Sequence, residues 1–188
     1  MSEGIKVRKA ATANSNLIQF YLGKIRNPTS GLGFDEMLAS KDLLFIGTHN
    51  WITWLFPSKK RSCSLDSIVA TKAELAAFQT DAVLRRKLLL ALQRVLALYG
   101  FALEPSGTIV LAADYETRKN NWLKNSPNQK RIARILQSLM LVGMSEIARK
   151  WVEVLPMDIP EMSDYWQASV SDPAVWSVGG RYGNTGGW

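Results

Sequence analysis

The chain has 188 residues, a formal net charge of +7, 47% apolar and 21% charged residues, and one cysteine, Cys63. These totals suit a packed globule of one domain with a tail in a reducing compartment, and they exclude a disulfide scaffold. No apolar run reaches the roughly 18 residues of a membrane helix, so membrane insertion is not expected.

The leader 1–14 has charges and no apolar run, so it is expected to be flexible and not a signal peptide. Ser15 is placed to cap a helix carrying Leu17, Phe20 and Tyr21 at helical spacing. NPTSGLG reads as a loop and FDEMLAS as a short helix. Thr48 is expected to cap a helix over HNWITWLF, and Pro57 to end it. SKKRSCSLDSIV has no period and reads as an exposed crossing.

Thr71 and Glu74 have the spacing of a capping box, and Asp81 is placed to cap the next helix. In AVLRRKLLLALQRVLALYG, residues Leu84, Leu88, Leu92, Val95 and Tyr99 keep the helical period, and Gly100 stands where a terminating glycine belongs. TIVLAA fits a short strand or the start of a helix. Ser126 and Pro127 open a helix whose face holds Ile132, Ile135, Leu136, Leu139 and Met140, and Gly143 stops it. Ser145 is expected to cap EIARKWVEVL, which Pro156 ends, giving two helices joined by a short turn. SDYWQASV reads as one more helix, and VGGRYGNTGGW as a mobile end. No period-2 run is convincing, so the class is all-α: a compact orthogonal bundle of about six to eight helices over 15–157, with a partly irregular extension over 158–188.

His49 is the only histidine. At the first turn of an apolar helix with Trp51 and Trp54, it reads as a packing residue; only Asn50 and Thr53 are expected to face out. No GxSxG, HExxH, CxxC, Walker loop or dinucleotide fingerprint accompanies it, so no catalytic residue, metal ligand or cofactor is assigned. The chain is expected not to be an enzyme.

The charge is uneven: 20 Lys and Arg against 10 Asp and Glu up to Met144, then 3 against 6 from Ser145 onward. Between 118 and 134 lie Arg118, Lys119, Lys124, Lys130, Arg131 and Arg134 with no acid, around Trp122. Cations beside a helix N-terminus are locally unfavourable, so this segment suggests an anion site. The competing reading is a solvated face, with Lys130, Arg131, Arg134 and Gln137 opposite the Ile/Leu stripe. Arg85, Arg86 and Lys87 form a second basic trio. The acidic, aromatic end with Trp166, Trp176 and Trp188 suggests docking of a partner or of a second copy.

FYLGKI (20–25), HNWITWLFP (49–57), LALYGFALE (96–104) and NWLKNSPNQKRIARILQSLMLVGM (121–144) occur in that order. In motif and spacing they resemble the opioid growth factor receptor family over roughly residues 15–155. The most specific element is WLFP after a histidine. The turn NSPNQ departs from the family's pattern, with Pro127 and Gln129 where histidine or asparagine is usual. The resemblance implies a receptor-like helical module, and carries over to His49, Trp54, Trp122, Asn128, Arg131 and Arg134. With Lys124, these are the expected ligand-binding residues. The expected partner is a peptide or an anionic ligand, with nucleic acid bound by 118–134 as one alternative. An enzyme acting on a phosphate-bearing substrate, with His49 as general base, is the other. The expected location is intracellular and soluble, nuclear if the source is eukaryotic.

Overall fold

The computed structural model describes residues 15–42, 51–62, 67–123, 126–156 and 160–171. The protein is mostly α-helical, as the sequence predicts. The described residues form nine helices and one two-stranded sheet. The chain divides into two compact units, 1–91 and 92–188, and the division falls inside the longest helix.

The first unit contains α1 (Asn16–Tyr21), α2 (Phe34–Ala39), α3 (Trp51–Leu55), α4 (Lys72–Thr80) and the first half of α5 (Ala82–Tyr99). Every residue of α3 is buried. This includes Thr53, which the helical pattern placed outward; the apolar surroundings of the segment enclose it on all sides. Phe20 is the centre of the packing, edge-on to Trp54 at 5.1 Å and to Phe34 at 5.8 Å, while Tyr21 meets Phe78 at 4.7 Å. Such edge-to-face pairs add to simple area burial.

Helix starts in this unit follow the sequence. Ser15 Oγ accepts from the Ile18 amide at 3.1 Å and donates to the Glu74 carboxylate. Glu74 in turn accepts from the Thr71 amide at 2.6 Å, and Thr71 Oγ1 accepts from the Glu74 amide at 3.2 Å. One carboxylate thereby completes the expected capping box and fastens the start of α1 to the start of α4. Asp81 Oδ1 accepts from the amides of Val83 and Leu84, capping α5 as expected.

The second unit begins with the second half of α5. There follow β1 (Phe101–Leu103), β2 (Ile109–Leu111), α6 (Tyr115–Trp122), α7 (Ser126–Leu141), α8 (Ser145–Val154) and α9 (Pro160–Ser169). The strands pair antiparallel with Phe101 opposite Leu111 and Leu103 opposite Ile109. Three residues per strand are too few for alternation to stand out, which is why the hairpin was not legible as a period. Helices α8 and α9 both pack on α7, and α8 also packs on β2. Phe101 is the aromatic centre here, with Tyr115, Trp151 and Trp122 at 5.1, 6.1 and 6.4 Å. α7 includes Ser126, one residue earlier than the predicted start, and α8 is preceded by Met144 rather than capped by Ser145.

Gly100 ends α5 with φ +85°, and a Cβ there would lie 2.8 Å from the Tyr115 Cα. Backbone cannot move aside as a flexible side chain can, so this position fixes where α6 crosses the end of α5. Gly107, at φ +79° with open space around it, isolates the conformational penalty alone. Gly107→Ala is expected to cost about 1–2 kcal/mol from left-handed strain. Gly100→Ala is expected to cost distinctly more, roughly 3 kcal/mol or above, because overpacking adds to the strain. Urea denaturation midpoints of the two variants check this; equal losses would contradict it.

Candidate functional site

Among the described residues, the basic segment does not form an open cationic face. Arg118 is paired with Asp114 one turn back, and the Lys119 ammonium lies 5.9 Å from the centre of the Tyr115 ring. Arg131, placed by the solvated-face reading on the outside of α7, is only 6% exposed. Asn128 is buried with it, and Arg131 Nη1 donates to Asn128 Oδ1 at 2.7 Å. Arg134 is half-buried as a residue, yet its Nε and Nη2 atoms are out of contact with solvent. Helical geometry places residues 131, 134 and 138 within about 60° of one another around α7. Ser138 is fully buried, and its hydroxyl makes no hydrogen bond among the described residues.

The end of α5 is held to the end of α6. Trp122 Nε1 donates to the Tyr99 carbonyl at 2.9 Å, and the two rings meet edge-on at 5.4 Å. This fixes the Tyr99 side chain, whose phenol lies close enough to Arg131 for each to affect the other's titration. The Tyr99 hydroxyl is buried and makes no hydrogen bond among the described residues. Burial lowers the Arg131 pKa, opposed by the nearby phenol, and burial brings Arg134 down to about 10. Burial also raises the Tyr99 phenol well above its ordinary value. Each shift has the sign expected when a charged form is moved away from water.

Among the described residues, four of the sequence-predicted site residues, Trp122, Asn128, Arg131 and Arg134, fall in the second unit. Trp54 lies in the first, buried against Phe20. Neither indole is at the surface. His49 and Lys124 lie outside the described residues, as do Trp176 and Trp188. Trp166 is buried, with its Nε1 donating to the Gln129 carbonyl at 3.0 Å, so it docks on α7 of its own chain. In the second basic trio, Lys87 reaches Asp35 at 3.2 Å and covers the Phe34 ring. Tyr99 was missed as a site residue because its period marks it as core. The available signal was its hydroxyl, a polar group on an apolar face that needs a partner.

The described residues contain no helix long and apolar enough to cross a membrane, and no group of three His, Cys, Asp or Glu able to hold a metal ion. The molecule is thus a two-unit helical protein with a sequestered cationic cluster in its second unit. It belongs to the family described as the opioid growth factor receptor (OGFr) conserved region, whose model matches residues 9–158. Among curated proteins it is 32% identical over 132 residues to the opioid growth factor receptor of Rattus norvegicus, covering 68% of this chain and 23% of that protein. It is 29% identical over 144 residues to the human receptor, covering 73% of this chain and 21% of that one. It is also 29% identical over 133 residues to opioid growth factor receptor-like protein 1 of Mus musculus, covering 69% and 28%. The chain thus spans less than a third of the length of these relatives. No solved structure matches it.

The two deeply buried phenols give a pH dependence with a definite sign. Tyr21 and Tyr99 are both raised by burial. The folded state keeps these protons while the unfolded state releases them near pH 10. Their contribution to stability is therefore complete below about pH 10 and is lost as pH rises above it. Arg134, a lowered cation, acts in the opposite direction above its own pKa. Phenolate absorbance reads the tyrosines alone. Of the five tyrosines, Tyr21 and Tyr99 are expected to resist ionisation at about pH 11 until the protein unfolds. Normal titration of all five with helical circular dichroism intact would contradict this.

Proposed function

We propose that the chain is a receptor-like binding module without catalytic activity, whose second unit takes the anionic group of its ligand on Arg131 and Arg134. The observation that carries this reading is the buried Arg131, hydrogen-bonded to Asn128, with the half-buried Arg134 one turn further along α7. A desolvated guanidinium costs free energy, and an anion held by charge-assisted hydrogen bonds offsets that cost. Arginine also presents a planar fork suited to carboxylate and phosphate groups. The name of the mammalian relatives, opioid growth factor receptor, supports a ligand-binding role. For this chain, a fraction of their length, that remains a proposal.

Nucleic-acid binding would call for cations accessible along a phosphate backbone. The pairing of Arg118 with Asp114 and the burial of Arg131 favour a small anionic group instead. His49, the general base of the enzyme alternative, lies outside the described residues.

The test uses isothermal titration of the whole chain with inorganic phosphate, acetate, and an acidic pentapeptide in free-carboxylate and amidated forms. At least one of these anions is expected to bind, and Arg134→Gln to weaken it by about tenfold or more. The half-buried position of Arg134 makes a folded variant attainable, to be verified by circular dichroism. Absence of binding by every anion, or equal binding by a folded Arg134→Gln variant, would overturn the proposal.

A further inference from the structure

We propose that the outer face of the first half of α5 is a docking surface for an acidic amphipathic helix of a partner protein. The observation that carries it is the pair Val83 and Leu90. Both are large and apolar, yet they are 54% and 42% exposed. They stand two turns apart, and helical geometry places them with Arg86 within about 60° of one another around α5. The core does not use them: Leu84, Leu88 and Ala91 form the inward face and are buried. Amphipathic patterning puts charged and polar residues on the outward arc of a helix. Here that arc holds Ala82, Val83 and Leu90, all exposed, with Leu89 half-buried at its edge and Arg86 as its exposed cation. A single exposed apolar residue is ordinary on a protein surface. Two at seven-residue spacing make a straight apolar strip, the repeat on which a second helix docks.

Charge says which helix fits. Residues 82–91 contain Arg85, Arg86 and Lys87 and no acid. Lys87 is paired with Asp35, and the Asp81 carboxylate is taken up by the amides of Val83 and Leu84. Arg85 and Arg86 have no ion pair among the described residues. A helix with leucines toward the strip and glutamates beside them would bury Val83 and Leu90 and complement these cations. A second copy of the chain fits badly. Arg86 lies midway between Val83 and Leu90, so a two-fold contact centred on the strip would set each Arg86 against its counterpart. An anionic membrane is also a poor match, because two large apolar side chains give little area to insert. This surface shares no residue with the anion-binding reading, so each stands or falls alone.

The probe is a synthetic helix about three heptads long, with leucine at the first and fourth positions of each heptad and glutamate at the flanking positions. A second peptide carries lysine in place of every glutamate. Fluorescence anisotropy reads the binding of each to the whole chain. The glutamate peptide is expected to bind at least about tenfold more tightly than the lysine peptide. The double variant Val83→Gln, Leu90→Gln should weaken it by about tenfold. Both positions are exposed and glutamine is a good helix former, so this variant is expected to keep the wild-type circular dichroism and thermal midpoint. Arg86→Glu should shrink the preference for the glutamate peptide by about tenfold. Equal affinity for the two peptides, no binding by either, or full affinity in the folded double variant would overturn the proposal. So would a wild-type dimer in sedimentation that the double variant abolishes, since the face would then belong to a second copy. Binding to phosphatidylserine vesicles that the double variant loses would assign the face to a membrane and overturn it equally.

Discussion

Arginine keeps its charge at any physiological pH, so a guanidinium inside a helical unit must be held by something. Arg131 is such a residue in the second unit. Asn128 gives it a carbonyl oxygen from one turn back on the same helix. A leucine of similar volume would cost less in a core of this kind. A buried cation at such a position therefore suggests a purpose other than stability, and the anion proposal gives it one.

The apolar architecture delivers these groups to one place. Gly100 lets α6 cross the end of α5 closely, and the crossing brings Trp122 to the Tyr99 carbonyl. Phe101, the next residue, gathers Tyr115, Trp122 and Trp151 around itself, so the backbone on either side of Gly100 is held by packing. α8 and α9 lie on α7, and the indole of Trp166 on the Gln129 carbonyl fastens the first turns of α7. The polar stripe of α7 is thus carried on a helix gripped by apolar neighbours. That is the arrangement a binding constellation needs if its donors are to be held in position before the ligand arrives.

Much of this was legible in the sequence. Helix starts were readable where a side chain makes the cap, as at Ser15, Thr71 and Asp81, because the spacing of the capping residue is itself the mechanism. Gly100 was readable as a helix end because only glycine occupies that backbone region without cost. The family was readable from the order of four aromatic and basic segments. The hairpin over 101–111 was not, because strands of three residues carry no measurable period. The burial of Arg131 was not legible either: amphipathic patterning assigns charged residues to water, and only tertiary packing overrides it. Tyr99 hid for the converse reason, since an amphipathic side chain at a core position reads as core. Thr53 shows the same effect in the first unit, where a helix covered on every side leaves its one small polar residue no outward face.

The most direct measurement is a crystal structure of the whole chain grown in phosphate-containing and phosphate-free conditions, read at the Arg131 and Arg134 guanidinium groups. The account predicts an anion within hydrogen-bond distance of both in the phosphate crystals. Phosphate crystals with no anion there, or with carboxylates of the chain itself engaging both guanidinium groups, would contradict it.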